Sequence, residues 1–190
     1  MTPALSRTLN ILGLIGICVV LMVAFVDQLA FGELPCPLCL LQRAGFVGVA
    51  AALALNVRFG PRPSHYGLMI LSAAVGFAVA VRQMLLHIAP GDAGFGAPFL
   101  GLHFYSWAAI LFGVVIVGAA ALLLFDRQFS FDPGLPTWSG LALVALGLGF
   151  AMALGNGVST VLECAGGLCP DNPTSYLLLQ EGGLKNFFAP

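Results

Sequence analysis

Five apolar stretches, each close to the length that crosses a membrane, dominate the amino-acid sequence. They run over residues 9–26, 38–57, 66–88, 104–125 and 137–160. A helix needs about 20 apolar residues to cross the hydrocarbon core of a bilayer. Only 8% of the 190 residues are charged, whereas a water-soluble domain carries about 25%. The sequence therefore predicts an all-α integral membrane protein, folded as a bundle of about five transmembrane helices.

Polar joints separate these stretches, and residues 161–190 are too polar and too rich in glycine and proline to span a membrane. We therefore divide the chain into a transmembrane bundle, residues 1–160, and an extracytoplasmic tail, residues 161–190. The first stretch is longer than the roughly 7–15-residue apolar core of a signal peptide. Because no small-x-small cleavage site follows it, we expect it to remain as the first helix.

The basic residues predict the orientation through the positive-inside rule. Under an alternating topology one side of the membrane carries Arg7, Arg58, Arg62 and Arg127. We expect that side, and with it the N-terminus, to be cytoplasmic. Both close pairs of cysteines then lie on the outer side. The net charge of −1 provides no basic excess, which argues against nucleic acid as a partner.

The first cysteine pair is Cys36-Pro37-Leu38-Cys39, at the expected start of the second helix. Two cysteines separated by two residues can close a small disulfide, and such pairs often contain one thiol that ionises readily. The unpaired N–H groups and the dipole of a helix start favour a thiolate at Cys39. We interpret the pair as a redox centre. The alternatives are a structural disulfide or half of a zinc site.

An arginine follows this pair within the second apolar stretch. Arg43 lies four residues after Cys39, on the same helix face and about 6 Å deeper. An arginine inside a span costs about 3 kcal/mol on insertion scales, and a bound quinone carbonyl would be a suitable acceptor for it. Alternatively, the side chain extends outward to the lipid headgroups. Gln42 could add a second polar contact to the same ligand.

A second arginine repeats this situation near the outer end of the third helix. Arg82 also lies in an apolar stretch, against the positive-inside rule. We expect Arg82 and its neighbour Gln83 either to line the same pocket as Arg43 or to bind lipid phosphate.

The second cysteine pair is Cys164-Ala-Gly-Gly-Leu-Cys169, expected just after the fifth helix on the outer side. Four intervening residues, two of them glycine, let the chain turn back sharply enough for a disulfide. The pair could relay oxidising equivalents to a partner protein, or it could only staple the tail. We favour the relay, because a staple over so short a loop gains little chain entropy.

Two further features indicate helix packing and no chemistry. Cys18 lies in the middle of the first apolar stretch, where a cysteine behaves as a small buried hydrophobe. Gly147, Ala151 and Gly155 recur every four residues in the fifth stretch. Small residues at this spacing let helices approach closely in lipid, so they predict the packing face of the fifth helix.

With Cys36-Pro37-Leu38-Cys39 followed by Leu40-Leu-Gln-Arg43, the sequence resembles the DsbB family of disulfide bond formation proteins. The resemblance covers the first three helices, including Val81-Arg82-Gln83, and extends to the fourth. It implies a bacterial inner-membrane enzyme whose CxxC pair passes electrons to ubiquinone or menaquinone, supported by Arg43. It also implies a periplasmic, thioredoxin-like thiol oxidase (DsbA-like) as the protein partner, in line with the DsbA–DsbB–quinone route.

The chain departs from the family pattern in two places. The family carries its partner-facing cysteine pair between the third and fourth helices, but residues 89–103 contain no cysteine. The family core has four helices, and the additional fifth helix would bring Cys164 and Cys169 to the outer face as a relocated pair.

The sequence thus predicts a quinone-dependent protein disulfide oxidoreductase with no metal site. The expected catalytic residues are Cys36, Cys39, Cys164 and Cys169, and the expected quinone contacts are Arg43, Gln42 and Arg82. Two alternatives remain open. One is an enzyme resembling vitamin K epoxide reductase, and the other is a non-enzymatic membrane scaffold that binds zinc through the four outer cysteines.

Overall fold

The computed structural model describes residues 1–130 and 139–180, and most of these lie in five α-helices. All five are long and apolar enough to cross a membrane, which confirms the predicted all-helical bundle. Short 3-10 turns follow the fourth helix at Asp126–Phe129 and lie in the tail at Leu177–Leu179. The helices are α1 (Pro3–Ala30), α2 (Pro37–Phe59), α3 (Pro63–Leu86), α4 (Phe104–Leu123) and α5 (Gly140–Cys164).

The helix starts follow local capping signals. Prolines occupy the first positions of α1, α2 and α3, where a missing N–H costs nothing and the fixed φ suits a helix. The side chain of Thr2 caps α1 by accepting a hydrogen bond from the Leu5 N–H. This cap explains why α1 begins at Pro3, well before the predicted Leu9.

The other helices also differ from their predicted bounds by a few residues; α3, for example, begins at Pro63, before the predicted Tyr66, and ends at Leu86, before the predicted Ile88. Helix α4 ends at Leu123, two residues short of the predicted Phe125, whereas α5 continues to Cys164, beyond the predicted Thr160. The α5 extension is favourable because the residues of its last turn remain in contact with the bundle. The predicted start of the fifth stretch, at Thr137, lies outside the described residues, as do residues 181–190 of the tail.

Helix packing runs in the order α1–α2–α3–α4, and α5 packs against α1 and α2. A close approach is built around Phe112 of α4, whose ring lies directly over Gly76 of α3 and stacks on Phe46 of α2 with 4.0 Å between centroids. A Cβ on Gly76 would overlap that ring, and one on Gly45 would lie 3.1 Å from the Gly76 Cα. Small residues therefore let three helices meet around one aromatic ring.

The packing face of α5 differs from the predicted one. Gly147 and Ala151 are exposed, whereas Gly155 is partly buried, and a Cβ on it would lie 3.3 Å from the ring of Phe25. A four-residue spacing of small residues fits more than one face of a glycine-rich helix, and the polar residues decide between them because they need partners in lipid. The residues buried against the bundle are Ala142, Ala145, Gly149, Asn156, Ser159, Glu163 and Cys164.

Buried hydrogen bonds define one end of the bundle. Near the start of α1, Ser6 donates to Gln128 of the turn after α4 (2.7 Å), and Asn10 donates to Tyr66 at the start of α3 (2.8 Å). Asn56, near the end of α2, donates to Asn10 at 2.8 Å. In an up-and-down bundle the starts of α1 and α3 and the ends of α2 and α4 lie at the same end, and these contacts join them. The start of α2 and the end of α5, which carry the two cysteine pairs, therefore lie at the opposite end, called here the cysteine end.

Candidate functional site

The first cysteine pair is built into the start of α2. Cys36 and Cys39 form a disulfide with 4.9 Å between their Cα atoms. Cys36 is the N-cap residue, and its sulfur accepts a hydrogen bond from the Cys39 N–H at 3.1 Å. Because Pro37 takes the first helical position, the Cys-Pro-x-Cys sequence closes the disulfide across the first helical turn. Unpaired N–H groups at this position stabilise negative charge.

Gln83 of α3 lies against this disulfide. Its side-chain nitrogen is 3.3 Å from the sulfur of Cys36 and 3.6 Å from that of Cys39, and its oxygen accepts a hydrogen bond from Gln42 at 2.7 Å. Gln83 is almost completely buried. An amide held at this place can donate to a thiolate on either cysteine. The sequence predicted that Gln83, with Arg82, lines the pocket of Arg43 or binds lipid phosphate. Its contact with the disulfide was not predicted, because nothing in the sequence shows which side of α3 faces the cysteines.

Arg43 is directed into the bundle and held there. Its guanidinium donates to the side-chain oxygen of Gln28 and, at 2.9 Å, to the backbone oxygen of Ala24, both on α1. It also lies 5.6 Å from the ring centroid of Phe25. Gln28 in turn donates to Ser159 of α5 at 2.8 Å. Contacts to α1 inside the bundle therefore compensate the charge of the arginine.

Tyr176 ties the described part of the tail to the same network. Its hydroxyl accepts a second hydrogen bond from Gln28, at 2.8 Å. The tail thus folds back over the cysteine end, close to Arg43.

A cavity of about 370 Å³ lies beside Cys39. Gln42 and Arg43 line it together with Cys39, so one helix brings a sulfur, an amide and a guanidinium to the same space. Most of the other lining side chains are apolar and come from α1, α4 and the two loops of the cysteine end. These include Val20, Val23, Ala24, Leu34, Phe46, Phe95, Phe99, Trp107, Ala108 and Leu111. The arrangement suits an apolar ring that carries an oxygen acceptor.

The loop between α3 and α4 contributes to the wall of this cavity. The backbone N–H of Ala97 donates to Glu33 of the first loop at 3.3 Å, and the indole of Trp107 donates to the backbone oxygen of Phe99 at 2.9 Å. Phe99 also stacks on Phe104. This is the loop in which the DsbB resemblance predicts cysteines. In this chain it packs along the cavity.

Asp92 organises the exposed part of that loop. It accepts hydrogen bonds from the Gly94 N–H at 2.8 Å and from His87 at 3.1 Å. The Gly94 N–H, and after it the His87 side chain, hold the pKa of the Asp92 carboxyl below its usual range. The loop is therefore better ordered when Asp92 is ionised.

The second cysteine pair forms a disulfide at the end of α5. The Cα atoms of Cys164 and Cys169 are 4.5 Å apart. Cys164 is the last residue of α5 and is buried, whereas Cys169 is partly exposed. Between them the chain turns through positive φ at Ala165 and Gly166, and the side chain of Leu168 is 98% exposed. This end of the chain thus presents a disulfide beside an exposed apolar side chain.

The predicted site residues fall into three groups. Cys39, Gln42 and Arg43 meet at the cavity, with Cys36 bonded to Cys39. The second pair lies at the same end of the bundle. Arg82 is exposed on α3 and does not line the cavity, so its contact with quinone stays a prediction.

The remaining cysteine also has a clear place in the structure. Cys18 is free and fully buried, which confirms its interpretation as a packing residue.

Comparison with known proteins supports the same picture. Residues 6–97 match the family model described as "Disulfide bond formation protein DsbB". The chain is 32% identical over 156 residues to disulfide bond formation protein B of Xanthomonas axonopodis pv. citri, covering 76% of this chain and 90% of that protein. Proteins of the same description from Marinobacter nauticus and Chromobacterium violaceum are also similar to it. They are 45% identical over 38% of this chain and 45% of that protein, and 37% identical over 46% and 57%, respectively.

No solved structure matches the chain. The similarity to the Xanthomonas protein covers most of both sequences, and the residues matched by the family model span the Cys-Pro-x-Cys pair, Arg43 and Gln83. The chain belongs to the DsbB family, the membrane thiol oxidoreductases of disulfide bond formation.

Proposed function

We propose that this chain reoxidises a DsbA-like thiol oxidase in the periplasm and passes the electrons to ubiquinone or menaquinone in the inner membrane. In this proposal Cys164–Cys169 exchanges disulfides with the protein partner, and Cys36–Cys39 is the pair coupled to quinone. The cysteine end faces the periplasm and the N-terminus faces the cytoplasm, as the basic residues favour. The observation that carries the proposal is that Cys39 and Arg43 line one apolar cavity at the cysteine end.

The residues of the cavity fit a quinone head group. Apolar walls suit its ring, and Arg43 and Gln42 offer N–H donors to a carbonyl oxygen next to the sulfur of Cys39. A bound quinone would supply the acceptor for two electrons and two protons. The chain's own contribution is to position Cys39, to keep water away from it and to hold a positive charge beside it.

The first exchange is assigned to Cys169. A thiolate of the reduced partner attacks the Cys169 sulfur, which is the more accessible of the pair, and Cys164 leaves as a thiolate. The second partner thiol then displaces Cys169. The partner leaves oxidised, and Cys164 and Cys169 carry its two electrons and two protons. The exposed Leu168 provides an apolar contact next to the attacked sulfur.

The second exchange returns the tail pair to its oxidised form. Cys164 or Cys169, as a thiolate, attacks the Cys36–Cys39 disulfide, and the other tail cysteine resolves the mixed disulfide. This step regenerates Cys164–Cys169 and leaves Cys36 and Cys39 reduced. The helix start and the Gln83 amide stabilise the Cys39 thiolate, which lies next to the cavity.

We also propose a minor role for Arg82. Its exposed position on α3 suits lipid phosphate better than the cavity, so we expect it to affect quinone binding only weakly.

The test uses purified protein in lipid nanodiscs, a reduced DsbA-like protein and ubiquinone. We expect the protein substrate to be oxidised and the quinone reduced in equal amounts. With Cys164→Ala the Cys164–Cys169 disulfide cannot form, so oxidation of the partner and reduction of quinone should both stop, whereas Cys18→Ala should behave as wild type. Quinone reduction that continues at the wild-type rate when Cys169 is replaced by Ala would contradict the assigned relay.

A further inference from the structure

Glu163 is a buried carboxyl that the proposed relay does not use. It lies in the last turn of α5, is 0% exposed, and neither of its carboxylate oxygens has a hydrogen-bond partner among the described residues. A buried carboxyl without partners is costly in lipid. Such a group is more often found where it has a function than where it only packs.

The position of Glu163 links it to Arg43. Ser159, four residues earlier, lies on the same face of α5 and accepts the hydrogen bond from Gln28. Gln28 accepts the hydrogen bond from Arg43. Glu163 is therefore one helical turn from the network that holds the guanidinium, and it interacts electrostatically with Arg43.

Glu163 and the cavity lie on different sides of Arg43. The cavity is lined by α1, α2, α4 and the loops, with no residue of α5 among the lining residues. Glu163 comes from α5, which packs against α1 and α2. The helix beyond the four-helix core thus brings a carboxyl to the arginine from outside the cavity.

We propose that Glu163 is a positioning residue for Arg43, whose charge state sets how much of the positive field of the guanidinium reaches Cys39 and the cavity. As a carboxylate, Glu163 neutralises part of that field. As a neutral carboxyl, it leaves the positive field of the guanidinium undiminished at Cys39, which lies one helical turn from Arg43. The inference rests on the proposed function, because it gives Arg43 and Cys39 their roles in the cavity.

Other charged and titratable groups also face Arg43. Asp27 of α1 and Tyr176 of the tail interact with it electrostatically, and Glu33 interacts with Asp27. Asp27 and Glu33 both line the cavity. They are unchanged in every Glu163 variant, so a difference between such a variant and the parent comes from residue 163.

The test follows the thiolate of Cys39 without quinone or partner. In a chain whose other four cysteines are replaced by Ala or Ser, the alkylation rate of Cys39 by iodoacetamide is measured from about pH 5 to about pH 9, the range in which thiols ionise. We expect Glu163→Gln to match the parent at the acid end. Toward the alkaline end it should react faster, by about threefold, because only the parent forms the carboxylate.

Two comparisons separate this role from a structural one. Glu163→Met, a second neutral replacement, should give the same profile as Glu163→Gln, and Glu163→Asp should resemble the parent. With Arg43→Ala already present, Glu163→Gln should change nothing. The inference is overturned if the neutral variants follow the parent profile throughout, or if their faster reaction persists without Arg43. Because neither quinone nor a partner is used, these outcomes are independent of the relay test.

Discussion

Arg43, which lines the cavity, and Gln28 form a hydrogen bond between α2 and α1. The guanidinium donates and the side-chain oxygen of Gln28 accepts, while the Gln28 nitrogen donates to Ser159 of α5 and Tyr176 of the tail. One glutamine thus fixes the arginine and joins α1, α2, α5 and the tail. Gln28 is therefore one of two hydrogen-bond acceptors on α1, with the backbone oxygen of Ala24, that hold Arg43.

Replacing Gln28 by Leu should weaken quinone binding. Without the Gln28 oxygen, Arg43 keeps only the Ala24 backbone oxygen as an acceptor and is less firmly oriented. We therefore expect the apparent quinone KM to rise about tenfold, with a smaller change in kcat. Stability should fall by about 1 kcal/mol, the usual scale of a hydrogen bond between transmembrane helices. Steady-state kinetics with a quinone series and urea unfolding in detergent measure the two effects.

Gln180→Leu is the matched control for this change. Gln180 is exposed in the tail, and among the described residues its side chain donates a hydrogen bond to Ser175. It should leave the quinone KM unchanged. An unaltered KM in Gln28→Leu would show that Arg43 is oriented by other contacts.

Replacing Gln83 by Leu should make the Cys36–Cys39 pair harder to reduce. Gln83 places its amide against both sulfurs, and an N–H donor stabilises a thiolate more than a disulfide. We expect the equilibrium with a dithiothreitol series to shift about tenfold toward the disulfide. Quantitative thiol alkylation reports the reduced fraction at each concentration.

Arg82→Ala provides the control at the adjacent position. Arg82 is exposed and outside the cavity, so this variant should keep the wild-type redox equilibrium and nearly the wild-type quinone KM. A large rise in KM would instead support the direct quinone contact predicted from the sequence.

Gly76→Ala should destabilise the bundle. The added methyl group would overlap the ring of Phe112, which is stacked on Phe46, and overpacking of this kind costs about 1–3 kcal/mol. Gly113→Ala on α4 is the control, because a Cβ there meets no atom within 4 Å. It should be neutral or slightly stabilising. Equal melting temperatures for the two variants would show that Phe112 can move aside.

The loop at His87–His103 should loosen in acid. The pKa of Asp92 is lowered by the Gly94 N–H and by His87, so its contribution to loop order is complete above its ordinary pKa. That contribution is lost as the pH falls through the lower, folded value. Asp92→Asn should remove this pH dependence.

Trp107 reports on the loop, because its indole bonds the backbone of Phe99. With Trp138→Phe, Trp107 is the only tryptophan in the chain, which has two. Its fluorescence should shift at acid pH in the parent and stay constant in Asp92→Asn. An identical acid shift in both would assign the transition to another group.

The five helices could be predicted because uncharged apolar runs of membrane length leave little choice of structure. The Cys36–Cys39 pair and Arg43 were recognisable because their spacing is local and lies within one helix. The packing face of α5 could not be predicted from the stripe of Gly147, Ala151 and Gly155. Small residues allow close packing on a face without requiring it, and in α5 Ser159, which accepts a hydrogen bond from Gln28, faces the bundle.

The contacts between helices could not be predicted from the sequence, for a related reason. Gln28 and Gln83 reach Arg43 and the disulfide from α1 and α3, and their roles depend on how these helices rotate against α2. A glutamine in an apolar run signals only that some polar partner exists. Which partner it finds is decided by the packing.

The most direct test of the account is the stoichiometry of quinone reduction in a single turnover. The fully reduced protein, freed of reductant, is mixed with ubiquinone without oxygen, and the loss of quinone absorbance is followed. We predict that the variant with both Cys164→Ala and Cys169→Ala forms one quinol per chain, whereas Cys39→Ser forms none. Quinol formation in Cys39→Ser, or its loss in the tail variant alone, would contradict the assignment of Cys36–Cys39 as the quinone-coupled pair.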